Sequence, residues 1–174
     1  LALCYKDMQM LDSAIYYLEK SSLPEANFLL GNIYENEKKD FEKACEFYKK
    51  VPKSSEKGKE AILKLSRLQR YLEYKKDTLL TEKSTFALAE IFLFEFNQPD
   101  SAIFYYEKVI NDFPESELAP KAQFCIAWIY EKYIGDTARA IENYRKICEK
   151  YPETEYAKAS KCAIERLQNE SNIK

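Results

Sequence analysis

The chain has 174 residues with a net charge of −2, made of 27 basic and 29 acidic side chains mixed along its length, and it contains no histidine. Three glycines and six prolines leave little room for a turn-dense β fold, and the missing histidine removes the commonest general base and metal ligand. A charge balance this even offers no global basic surface, so nucleic acid is not an expected partner.

Apolar spacing predicts helices at about 1–9, 12–22, 24–37, 40–51, 55–76, 78–96, 100–112, 116–134, 136–150 and 154–169. The first begins on Leu1-Ala2, midway through a pattern that recurs later, which implies a fragment of a longer protein. The second opens a segment, Asp12 to Lys20, that returns 88 positions later as Asp100 to Lys108 with seven of nine residues identical. A segment repeated inside one chain means a repeated structural unit.

The spacing extends that repeat. A small residue with an aromatic three places on occurs at Ala2/Tyr5, Gly31/Tyr34, Ala89/Phe92 and Ala127/Tyr130. Twelve or thirteen residues after each small residue comes Ala14, Ala44, Ala102 or Ala140, and four further on Leu18, Tyr48, Tyr106 or Tyr144. Small residues let two helices of a hairpin approach closely while the aromatics fill the space between hairpins. Asp12, Asp40, Asp100 and Asp136 stand in the turns before each second helix, where a carboxylate caps the helix.

Between Ala44 and Ala102 the pattern breaks. A helix from Ser55 to about Lys76, with the apolar series Ile62, Leu65, Leu68 and Leu72, has no second helix before Thr78 and reads as a degenerate half-repeat. Beyond it the period is 38 residues, and Phe113-Pro-Glu-Ser-Glu117 becomes Tyr151-Pro-Glu-Thr-Glu155. Ser116 and Thr154 are expected N-caps. The last helix, with Ala159, Cys162, Ala163 and Leu167 on one face, suits a cap closing the stack. The organisation expected is an N-terminal repeat block at 1–54, a connecting helix at 55–77, two regular repeats at 78–152 and a capping helix and tail at 153–174.

At the small–aromatic, alanine, aromatic and terminal proline positions the chain resembles the tetratricopeptide repeat family, with a one-residue insertion in three hairpins. The C-terminal part, through Phe113 to Ala122, resembles the type of repeat found in the bacterial periplasmic Tol–Pal coordinator and the β-barrel assembly lipoprotein. The resemblance implies an all-α, right-handed α-solenoid of antiparallel helical hairpins. It also implies a groove, lined by the first helix of each hairpin, that receives a peptide or helix of a protein partner. The residues it assigns to that groove are Phe28, Asn32 and Glu35, then Phe86, Glu90, Leu93 and Phe94, then Phe124, Trp128, Glu131 and Lys132. Exposed aromatics in such a groove act as binding hot spots.

No catalytic constellation stands beside that groove. The pairs Glu115/Glu117 and Glu153/Glu155 fall at one phase of the repeat, where acidic residues favour a helix start. Gly31, Gly58 and Gly135 are isolated and form no phosphate loop. The lysines and arginines from Lys57 to Lys76 are offset by Glu56, Glu60, Glu73 and Asp77, so they read as a solvated face. Five scattered cysteines form no Cys-x-x-Cys pair, and Cys4, Cys125 and Cys162 fall in apolar helical patterns. No stretch is apolar for the roughly 20 residues a membrane span needs. The expectation is a non-enzymatic interaction scaffold with no cofactor, metal or small-molecule substrate. The resemblance favours the periplasmic side of a bacterial envelope assembly; a cytoplasmic adaptor, or a regulatory domain fused to an upstream enzyme, is the alternative.

Overall fold

The computed structural model describes residues 10–76 and 81–172. The predicted helix at 1–9 and the first residues of that at 78–96 lie outside them. Among the described residues there are nine helices and no strand. They are α1 (Leu11–Glu19), α2 (Pro24–Asn36), α3 (Phe41–Lys49), α4 (Gly58–Lys76), α5 (Glu82–Glu90, continued by a wide turn Ile91–Glu95), α6 (Pro99–Asp112), α7 (Leu118–Ile129, continued by Tyr130–Ile134), α8 (Thr137–Lys150) and α9 (Glu155–Asn172). The fold is all-α and built of helical repeats. The chain forms two compact units, Leu1–Glu73 and Tyr74–Lys174.

Each hairpin closes on the small residues. Ala14, Ala44, Ala89, Ala102, Ala127 and Ala140 are fully buried, and Tyr48, Tyr106 and Tyr144 are buried beside them. Gly31 shows how close the approach is, since a Cβ there would lie 2.4 Å from the Tyr48 ring. In the second unit one core gathers Phe86, Ala89, Leu93, Tyr106, Val109 and Ile126, and another gathers Ala127, Tyr144, Ile147, Ala157 and Leu167.

The one-residue insertion has a visible consequence. Each of the three first helices ends in a widened turn in which an amide reaches five residues back: Lys38 to the Ile33 carbonyl, Phe96 to Ile91, and Gly135 to Tyr130. Each turn holds a single left-handed residue, Lys39, Asn97 or Gly135, with φ of 53°, 52° and 76°; in the first two it follows the reaching amide, and in the third it carries it. A second bond spans six residues, from Asp40, Gln98 and Asp136 to Tyr34, Phe92 and Tyr130. The extra residue is thus absorbed as a π-type turn at the end of the first helix.

Caps follow the spacing to alanine. Asp40 and Asp136, four before Ala44 and Ala140, accept from the amides of Lys43 and Arg139 at 3.0 and 2.9 Å. Asp12 and Asp100 stand only two before Ala14 and Ala102, so they fall inside the first turn and the N-cap places go to Met10 and Gln98. The expected capping by Asp12 and Asp100 is therefore corrected; their carboxylates favour the helix start through its dipole. Ser116 and Thr154 do accept amide hydrogen bonds, from Leu118 at 3.0 Å and Ala157 at 3.2 Å.

Two helix faces also differ from expectation. In α4 the buried residues are Gly58, Ala61, Leu68 and Tyr71, while Ile62 is exposed, because Tyr71 turns toward α3 and meets Phe41 edge-on at 5.0 Å. This helix is docked in the first unit. In α9 the buried side is Ala157, Ser160 and Leu167, with Ala163 and Ile164 partly covered. Ala159 and Cys162 lie on the exposed side. Small residues on both faces of that helix leave the phase to Leu167 and Ile164, whose larger apolar surfaces decide it.

Candidate partner-binding surface

Successive first helices meet through two positions of the repeat, one and four places after the small residue. Glu35 and Glu131 hold the fourth place. Tyr48, on the partner helix, donates its one hydroxyl proton to Glu35 at 2.5 Å, with the Asn32 side-chain amide 2.8 Å from the same oxygen; Tyr144 donates to Glu131 at 2.9 Å. The next first helix then supplies a cation. Arg67 and Lys64 of α4 reach Glu35, the lysine at 3.1 Å, and Arg166 of α9 reaches Glu131 at 2.7 Å. Both carboxylates are only 5% exposed. Burial alone would raise the Glu131 carboxyl, but hydrogen bonds from Lys132, Arg166 and Tyr144 hold it below the usual carboxylate value. The Tyr144 phenol is pushed up by burial and by the same acceptor.

At the middle join the polar set is replaced. Leu93 stands in the glutamate's place and is fully buried, and Trp128 stands in the arginine's place, packed against the core that holds Leu93. The Tyr106 hydroxyl, with no carboxylate to meet, lies against Cys125, whose thiol is pushed up by burial. A thiol so placed is held in its unreactive form.

The groove residues inferred from sequence therefore divide. Phe28, Glu35, Phe86 and Leu93 are buried in the joins and present no free surface. Asn32, Phe124, Trp128 and Glu131 are partly covered, Asn32 and Glu131 by the tyrosine bonds just described. Glu90, Phe94 and Lys132 are exposed, Phe94 by 61%. Phe94, Trp128 and an unanticipated third ring, Tyr133, form a chain with centroid separations of 6.5 and 5.5 Å. Lys132 sits beside it, bound to Glu131 at 2.6 Å. Tyr133 reaches the tryptophan because the π-type turn rotates it toward the first-helix face. Only the extra residue in the turn signalled this in the sequence.

Two sequence models described as tetratricopeptide repeat match residues 83–116 and 121–154 in one case and 24–57 in the other, together more than half of the chain. The chain belongs to the tetratricopeptide repeat family. A search of curated proteins finds none that matches it. Repeats of this family generally mediate protein–protein interaction, and domains built of them are typically non-catalytic. No helix among the described residues is long and apolar enough to cross a membrane.

Proposed function

We propose that the chain is a non-catalytic scaffold whose second unit holds a peptide or helix of a partner protein against the first-helix face around Phe94, Trp128, Tyr133 and Lys132. The observation that carries this reading is the exposed Phe94 ring continuing into Trp128 and Tyr133. A row of three rings supplies a large anchor at low entropic cost, and Lys132 and Glu90 flank it to fix the register of a charged segment. The polar joins on Glu35 and Glu131 are saturated internally, which leaves the apolar middle join as the place where an outside side chain gains most.

The finer reading is an assembly at the periplasmic side of a bacterial envelope. It rests on the resemblance of the 38-residue period and the Phe-Pro-Glu-Ser-Glu turn to repeats of that type. The competing contexts, a cytoplasmic adaptor or a regulatory domain fused to an enzyme, use the same surface.

The single tryptophan makes the test direct. Partners recovered with the full-length protein are titrated against the chain while Trp128 emission is followed. A saturable change that disappears with Phe94→Ala supports the surface; binding that leaves Trp128 emission untouched removes it.

A further inference from the structure

The duplicated segment repeats a surface as well as a fold. Asp12, Tyr16 and Glu19 share the exposed face of α1, and Asp100, Phe104 and Glu107 share the same face of α6. Tyr16 is 51% exposed and Phe104 60%. Both faces belong to second helices, so neither is part of the first-helix surface just described.

In the first copy the chain supplies its own cations. Lys38 Nζ lies 2.8 Å from the Asp12 carboxylate, and Lys20 Nζ, 4.2 Å from the centroid of the Tyr16 ring, hydrogen-bonds the Tyr16 hydroxyl. Asp12, Tyr16 and Lys38 line a cleft of about 460 Å³ that also takes in Glu19 and Tyr34. In the second copy both cations are replaced or diverted. Ile134 occupies the repeat position of Lys38, and Lys108, the counterpart of Lys20, is bound to Asp112 at 2.5 Å. Asp100 and Glu107 have no ion-pair partner among the described residues, and the Phe104 ring carries no cation there. Its neighbours are aromatic: Tyr105 meets it edge-on at 5.3 Å, and Phe92 stacks on Tyr105 at 5.2 Å.

We propose that the α6 face formed by Asp100, Phe104 and Glu107 binds an arginine or lysine side chain of a protein partner, at a site separate from the first-helix surface. The first copy shows the acid half of this chemistry within the same chain, Lys38 on Asp12. Its second lysine is held by the Tyr16 hydroxyl, which Phe104 lacks, so the second copy offers a bare ring face. Arginine suits the second copy best, because its planar guanidinium stacks on Phe104 while its N–H groups reach a flanking carboxylate. Ile134 and Phe92 give an apolar residue beside that arginine a surface to cover.

The test uses the full chain, ¹⁵N-labelled, titrated with a synthetic peptide alternating arginine and leucine and with its counterpart carrying glutamate for arginine. The expected result is saturable shifts at Asp100, Phe104, Glu107 and Ile134 with the arginine peptide alone. Affinity should fall about tenfold in the isosteric double variant Asp100→Asn/Glu107→Gln and again in Phe104→Ala. Shifts confined to Phe94 and Trp128 overturn the proposal while sparing the first-helix reading. Equal binding of the glutamate peptide, unchanged affinity in the double variant, or no saturable shift overturns it as well.

Discussion

Glu131 and Arg166 meet at 2.7 Å across the join between α7 and α9, and Glu35 and Arg67 pair at the same place between α2 and α4. In both joins a tyrosine from the intervening second helix donates its hydroxyl to the same carboxylate. One buried acid thus ties three helices together, and its removal leaves the Tyr144 phenol without its acceptor and Arg166 with Glu170 alone. Glu131→Ala should cost about 2 kcal/mol, the scale of a lost hydrogen bond to a charged group, with a partly exposed Arg166 tempering it. Thermal unfolding of the second unit should move down by several degrees.

That acid also fixes a pH dependence. The folded Glu131 carboxyl titrates below the unfolded value of about 4.3. Its contribution is therefore complete above the unfolded value and is lost as the pH falls through the folded one. The stability difference between the native chain and Glu131→Gln should be constant from pH 6 to 8 and shrink as the pH falls below the unfolded value of about 4.3. Urea unfolding at each pH measures it, and a difference that grows with acid contradicts the assignment.

Gly31 is fixed by Tyr48, not by its backbone angles. A Cβ at this position would lie 2.4 and 2.5 Å from two ring carbons of a tyrosine held by Glu35 and Asn32. Gly31→Ala gains about 1 kcal/mol of helix propensity yet should destabilise the first unit by about 1–3 kcal/mol overall through overpacking. Tyr48→Phe in the same background frees the ring from its two polar partners and should recover part of the loss. A stabilised Gly31→Ala chain in urea would show that the ring moves without cost.

How much of this was legible in the sequence depends on the distance over which residues act. The hairpins were legible because Ala14, Ala44, Ala102 and Ala140 sit at fixed spacing from their partners, and spacing along a helix is written in the chain. The joins were not. Arg67 and Arg166 look like solvated cations until the stacking register brings each to a glutamate 32 or 35 residues away. The same register buries Phe28, Glu35, Phe86 and Leu93, which the family resemblance had assigned to an open groove. Asp12 and Asp100 show the finer limit: two residues of displacement relative to alanine separate a cap from a first-turn carboxylate.

The three left-handed turn residues make a graded series. Gly135 adopts φ 76° at no steric cost, while Lys39 and Asn97 hold 53° and 52° with side chains. Lys39→Gly should stabilise the first unit by about 0.5–1 kcal/mol, since relief of strain outweighs the entropy that glycine adds to the unfolded chain. Asn97→Gly should gain less, because asparagine tolerates this region. Gly135→Ala should lose about 1 kcal/mol. Urea midpoints at unchanged slope rank the three, and a loss for Lys39→Gly contradicts the strain argument.

Phe94 and Trp128 separate binding from folding. Phe94 is 61% exposed, so Phe94→Ala should leave stability within about 0.5 kcal/mol. Trp128 packs against the core that holds Leu93, Tyr106 and Ile126, so Trp128→Ala should cost about 2–4 kcal/mol of stability through the cavity it leaves. If the first-helix face is the partner surface, both variants weaken binding, by roughly 1–3 kcal/mol each for a hot-spot ring. Only the tryptophan variant should also lower the unfolding midpoint. The comparison is made with titrations below the midpoint of each variant, so that only folded chains are counted. A Phe94→Ala chain that binds its partner as tightly as the parent would leave Trp128 as a packing residue and end the assignment of this face.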